Sequence, residues 1–165
     1  MEKNIRQRLV LLLIIPFLVS YIINLLITIG FKTGLDILMS IANISLYLWA
    51  FVAAFFWFYV GKQFGKLEMP KGKSLVLGNS LWIISLLLYI WQFILLDDLK
   101  RNFFIAGISQ HYPLGFVWIS SRLISLFTNL LDSTMVTIAS YLIMLLVFTA
   151  GFIYNSKTSY EKMNM

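Results

Sequence analysis

The chain has 165 residues, 60% of them apolar and 12% charged, with a formal net charge of +6. A soluble domain carries about 45–50% apolar and about 25% charged residues. So large an apolar excess cannot be hidden in so small a globule, which excludes disorder, collagen, coiled coil and an ordinary cytosolic enzyme, and leaves an integral membrane protein.

Four apolar runs have the roughly 20 residues needed to cross a hydrocarbon core about 30 Å thick. They run from Leu9 to Gly30, Ile37 to Val60, Leu75 to Leu96 and Thr134 to Tyr154, and none contains Asp, Glu, Lys, Arg or His. The first holds Pro16, which should kink it without breaking it. Its apolar region is too long for a signal peptide, and no small-x-small site precedes Lys32, so it reads as an uncleaved anchor. Asp36, Ser74 and Asp132 or Ser133 are placed to cap the later spans.

Basic residues orient the spans. Lys3, Arg6, Arg8, Lys62, Lys66, Lys71, Lys73, Lys157 and Lys162 fall on one side. Lys32, Lys100, Arg101 and Arg122 fall on the other. Nine against four predicts that both termini are cytoplasmic. Lys62, Lys66, Lys71 and Lys73 are candidate contacts for lipid headgroups or a partner, as is Arg122. The Gly61–Gly65 pair has the spacing of a helix-packing motif but sits at the membrane edge beside lysines, which weakens the signal.

The segment from Asp97 to Ser133 is the only sizeable stretch between spans. Phe116, Ile119, Leu123, Leu126, Phe127 and Leu130 share one helical face and Ser121, Arg122, Ser125, Thr128, Asn129 and Asp132 the other. This predicts an amphipathic helix over about 114–131, lying flat in the outer interface or over the bundle mouth. Its role reads either as a connector with its apolar face in lipid or as a lid or partner-docking surface. His111 precedes that helix and reads as an ordinary loop histidine.

Each span also carries a polar or small-residue stripe at steps of three and four. These are Phe17, Tyr21, Asn24 and Thr28; Asn43, Tyr47, Ala50, Ala54, Trp57 and Gly61; Gly78, Trp82, Ser85, Tyr89 and Gln92; and Thr137, Tyr141, Met144, Phe148 and Gly151. An unpaired amide in hydrocarbon costs several kcal/mol, so such stripes should turn inward. At about 1.5 Å per residue, Asn24, Asn43, Tyr47, Tyr89, Gln92 and Tyr141 fall at one level in the outer third. Two readings stay open for that layer: interhelical glue, or a shallow ligand cup under the external helix.

The fold expected is therefore all-α and polytopic. It is one antiparallel four-helix transmembrane bundle with an amphipathic extracytoplasmic helix between spans three and four. The absence of cysteine and the single histidine remove disulfides, thiolate catalysis, Cys-ligated clusters and two-histidine metal sites within one chain. No catalytic residue, metal or cofactor is expected. Gly72-Lys73-Ser74 lacks the upstream glycine and strand of a phosphate-binding loop.

The leading expectation is a non-enzymatic accessory, regulatory or immunity-type subunit of a bacterial cell membrane. Its partners would be the lipid bilayer and either a larger membrane protein or further copies of itself, with no nucleic acid. A small transporter or binding protein for an uncharged or amphipathic molecule is the alternative. A membrane enzyme using external acids is the third.

Overall fold

A computed structural model of the chain describes residues 2–163, with side chains from 7 to 155. The side chains of Lys3, Arg6, Lys157 and Lys162, part of the basic set at the two ends, lie outside the described residues. The described residues are helical apart from short turns and loops, with no strand among them. The helices are α1 (Glu2–Thr33), α2 (Asp36–Gly65), α3 (Lys71–Gly78), α4 (Ser80–Tyr89), α5 (Phe103–His111), α6 (Leu114–Ser125) and α7 (Ser133–Met163). α4 runs on as a π-turn over Ile90–Leu95, and a 3-10 turn covers Asp98–Lys100. α1, α2 and α7 are each long and apolar enough to cross a membrane, and the bent pair α3–α4 makes a fourth candidate. This is the make-up of a multi-pass membrane protein.

α1 runs unbroken through the buried Pro16. It turns at Gly34, whose φ of +65° suits a residue without a side chain. α2 then doubles back, and the buried Trp49 indole N–H donates to the Ser20 hydroxyl at 3.0 Å, tying the two helices.

The largest interface of the fold joins α2 to α7, and glycine makes it possible. A Cβ added to Gly61 would strike the Phe148 carbonyl, and one on Gly151 the Phe58 carbonyl. One on Gly65 would lie 2.7 Å from the Phe152 carbonyl oxygen. Backbones this close are the reason small residues concentrate at membrane-helix crossings. The Gly61–Gly65 spacing, discounted on sequence for its place at the membrane edge, is thus central to the packing.

The third candidate span is not one straight helix. α3 and α4 meet at Asn79 with a bend of 50°. The Asn79 amide Nδ2 donates to the Leu75 carbonyl at 2.9 Å, beside the Asn79 backbone N–H that the same carbonyl accepts at 3.1 Å. α3 also closes the end of α2: the Ser74 hydroxyl donates to the Phe64 carbonyl at 2.5 Å and the Lys71 ammonium to the Gly65 carbonyl at 2.8 Å. A cation and a hydroxyl satisfy carbonyls that an isolated helix end would leave orphaned.

The segment after the third span differs most from expectation. Its first part forms α5, capped by Asn102, whose side chain accepts from the backbone N–H of Phe104 and Ile105. The amphipathic helix is shorter than expected, ending at Ser125 rather than Leu131. It does not lie flat across the bundle either.

α5 runs antiparallel to α4. Asn102 N–H meets Gln92 at 2.8 Å at one end, and the Ser109 carbonyl meets the Ser85 hydroxyl at 3.2 Å seven residues on. α6 returns antiparallel to α2. Tyr112 packs on Trp57, Gly115 on Ala53 and Trp49, and Trp118 on Tyr47 and Phe51. The two form a helical hairpin, turning at the buried Pro113, that is wedged between the long helices.

The reason is local. Gly115 and Ser120 present a small, close-packing face that a lipid-facing stripe does not need. The expected apolar stripe continues into Leu126, Phe127 and Leu130, which are exposed beyond the helix end.

Candidate functional site

The six residues placed in one polar layer separate into two groups. Tyr89, Gln92 and Tyr141 are each 1% exposed and lie in the interior. Asn24, Asn43 and Tyr47 are exposed. On α2 the buried face runs through Ala42, Trp49, Ala50, Ala53, Trp57, Val60 and Phe64, so it tilts away from Asn43 and Tyr47. The Tyr47 ring instead meets Trp118 edge-on at 5.9 Å. On α1 the buried residues are Leu13, Pro16, Ser20, Ile23 and Gly30, one position off the expected stripe of Phe17, Tyr21, Asn24 and Thr28. α1 packs on α2 through that shifted face and makes no substantial contact with α4.

The interior polar cluster is held by α4, α5 and α7. The Tyr141 hydroxyl donates to the Ser109 carbonyl at 2.6 Å and lies 2.6 Å from the Ser85 hydroxyl, which reaches the same carbonyl at 3.2 Å. The Trp82 indole N–H donates to the Tyr141 carbonyl at 2.9 Å. Each polar group here is consumed by another, an arrangement that fixes helix register and leaves little for a ligand.

Nearer the end of α4, the Gln92 side-chain carbonyl accepts from Asn102 N–H, while its buried Nε2 has no partner among the described residues. Arg101 lies over the Phe93 ring, donates to the Gln92 backbone carbonyl and pairs with Asp98 at 2.5 Å. Asp132 accepts from Met135 N–H at the start of α7. Two of the external acids are therefore occupied in helix-end and ion-pair contacts. Among the described residues no cluster of acids and histidines is placed to hold a metal ion.

The lysine loop is divided in the same way. Lys71 caps α2, and Lys62 lies 5.1 Å from the centre of the Tyr154 ring. Lys66 and Lys73 are exposed. Arg122 is exposed with its guanidinium over Trp118.

Sequence reasoning missed two features. Ser20, Ser109, Ser120 and Ser140 are buried, as the expected Ser85 is, and Ser120 and Ser140 bond to each other at 3.0 Å across α6 and α7. A serine is small enough to sit on an apolar face without marking a polar stripe in the sequence.

The second is His111, which is half-buried at the hairpin tip. Its Nδ1 bonds the Gly107 carbonyl and must therefore carry the proton. Its Nε2 is left to accept from the Asn24 amide at 2.9 Å. The rings of Phe17 and Tyr21 stand 6.0 and 5.7 Å from the imidazole.

Below this group a cavity of about 230 Å³ opens sideways between α1 and α4. Ile14 and Phe17 of α1, Leu81, Ile84, Ser85 and Leu88 of α4, and Ile108 and Tyr112 of the hairpin line it. The surface is almost wholly apolar, because the Ser85 hydroxyl is turned toward Tyr141 and Ser109. No known family, no characterised protein and no solved structure matches the chain.

Proposed function

We propose that the chain is a four-span protein of a bacterial cell membrane, with α3 and α4 together as the third span and α5–α6 entering from the outer side as a re-entrant hairpin. Both termini are cytoplasmic in this reading. It acts, without catalysing a reaction, as an accessory, regulatory or immunity-type subunit through contacts in the bilayer and at its outer face. The observation that carries the reading is the closed cluster of Ser85, Ser109 and Tyr141. Interior polar groups that satisfy one another serve to hold a shape, and a shape presented sideways to other membrane proteins is what such a subunit offers. The outward-open cup of the alternative reading draws less support, since Tyr141 is consumed inside and Asn43 and Tyr47 face outward.

Purification of the tagged protein in mild detergent tests the proposal. A larger membrane protein is expected to co-purify at a fixed ratio. A chain that elutes alone from its native membrane at every detergent concentration counts against it.

Orientation is tested separately, and the lack of native cysteine makes the experiment clean. Single cysteines at Lys32, Lys100 and Thr128 should react with a membrane-impermeant maleimide added outside intact cells. One at Lys66 should react only after lysis. One at Pro113, at the hairpin tip, should stay unreactive from both sides. Labelling of Lys66 from outside would reverse the topology.

A further inference from the structure

The cavity between α1 and α4 is apolar, and a polar cluster on α1 and the hairpin tip adjoins it through Phe17. Its floor and walls are branched aliphatic and aromatic carbon over about 230 Å³. That is larger than the roughly 150 Å³ cavity known to admit benzene. Phe17 belongs to both: it lines the cavity and stands against His111. Above it lie Tyr21, Asn24 and His111.

These upper groups are polar, outward-facing and incompletely paired. The Asn24 amide gives one N–H to His111. Among the described residues its carbonyl oxygen and the Tyr21 hydroxyl have no protein partner, although both side chains are exposed. On a helix that reads as a membrane span, such groups are costly in hydrocarbon unless something supplies hydrogen bonds. Water reaching down to an apolar cavity would find too few partners to remain.

We propose that this cleft binds a neutral amphiphile, with its hydrocarbon chain between α1 and α4 and a hydroxyl-type head at Asn24 and Tyr21, beside His111. The head is neutral because Asn24 and Tyr21 offer hydrogen bonds and no counter-charge. Both ring nitrogens of His111 are already engaged, by Gly107 and by Asn24. No lysine, arginine, aspartate or glutamate lines the cavity or joins the cluster above it. A phosphate would be desolvated there without a counter-charge, whereas a hydroxyl can donate to the Asn24 carbonyl oxygen and accept from the Tyr21 hydroxyl. Binding of an amphiphile at this site requires no partner subunit.

The test is photolabelling of the full-length protein in phosphatidylcholine nanodiscs with a long-chain fatty alcohol carrying an alkyl diazirine. Saturable labelling should map to the peptides bearing Ile14, Phe17 and Ile108. Oleyl alcohol should compete and dioleoylphosphatidylglycerol should not. Ile84→Trp fills the mouth from an exposed position and should cut labelling at least about tenfold, the analogue of removing the cavity. Asn24→Leu should weaken oleyl alcohol competition about three- to tenfold, the equivalent of one hydrogen bond.

Several outcomes overturn the proposal. These are labelling spread evenly around the helices without saturation, equal competition by phosphatidylglycerol, undiminished labelling of Ile84→Trp, or a second copy of the chain cross-linked into the cleft. Should either variant fail to elute as folded protein, the competition arms on the unaltered chain decide alone.

Discussion

Gly151→Leu is expected to abolish the folded state, and Gly151→Ala to destabilise it by about 3 kcal/mol, the upper part of the range for overpacking. Most overpacked side chains are relieved by a neighbour changing rotamer. Here the obstacle is the backbone carbonyl of Phe58, on a helix that cannot move without dragging the whole α2–α7 crossing. The same reasoning applies in mirror image to Gly61, whose obstacle is the Phe148 carbonyl. Gly72→Ala is the built-in control. A Cβ there meets nothing within 4 Å, so the change should be neutral or stabilise α3 by a few tenths of a kcal/mol. Denaturation in mixed micelles, followed by circular dichroism and protease resistance, ranks the three variants. Equal stability of Gly151→Ala and Gly72→Ala would show that α2 and α7 do not approach as described.

The second large effect is expected at Trp57. Its side chain is 1% exposed, with the ring of Tyr112 at 5.7 Å and that of Phe148 at 6.3 Å. Trp57 thus joins α2 to the hairpin tip on one side and to α7 on the other. In water, Trp→Ala in a core costs about 3–5 kcal/mol, part of it from transferring the side chain out of water. Lipid is already apolar, so that part shrinks and the cavity with its lost contacts remains. A cost of about 3 kcal/mol follows. The change should also loosen the hairpin, so a cysteine at Pro113 that is silent in the parent should become reactive in the Trp57→Ala background. Loss of stability without that gain would mean that Trp57 does not hold the tip in place.

Periodicity revealed much of this architecture and misled in particular places. The stripes on α3–α4 and on α7 are for the most part buried as expected, at Gly78, Ser85, Tyr89 and Gln92 and at Tyr141, Met144, Phe148 and Gly151, with Trp82 and Thr137 half-buried. Both helices have partners on one broad side, so a polar or small stripe has one place to go.

α1 and α2 went astray for a common reason. The stripe rule supposes a symmetric bundle in which each span has two span neighbours. The wedged hairpin displaces α4 from α1, so Asn24 and Tyr21 border a cleft, and α2 turns its small alanines toward α6, meeting Trp118 with the edge of its packing face at Tyr47 and leaving Asn43 exposed. The hairpin itself was hidden because α5 is only nine residues long and follows a run of charges. Asn102 before Phe103 and Phe104 was its one local sign. His111 became notable only when the tip brought it to Asn24, a residue far away in sequence.

The dominance of the α2–α7 crossing sets a timing problem for biosynthesis. Gly61 leaves the ribosome well before Gly151, and at about 5–20 residues per second the interval is roughly 5–20 s. During that time the glycine face of α2 has only α1, and then α3, to shelter it. The chain therefore completes its main seam last. Nascent chains that stop before α7 should be recognised by membrane quality-control proteases as orphans, however well their first three spans insert.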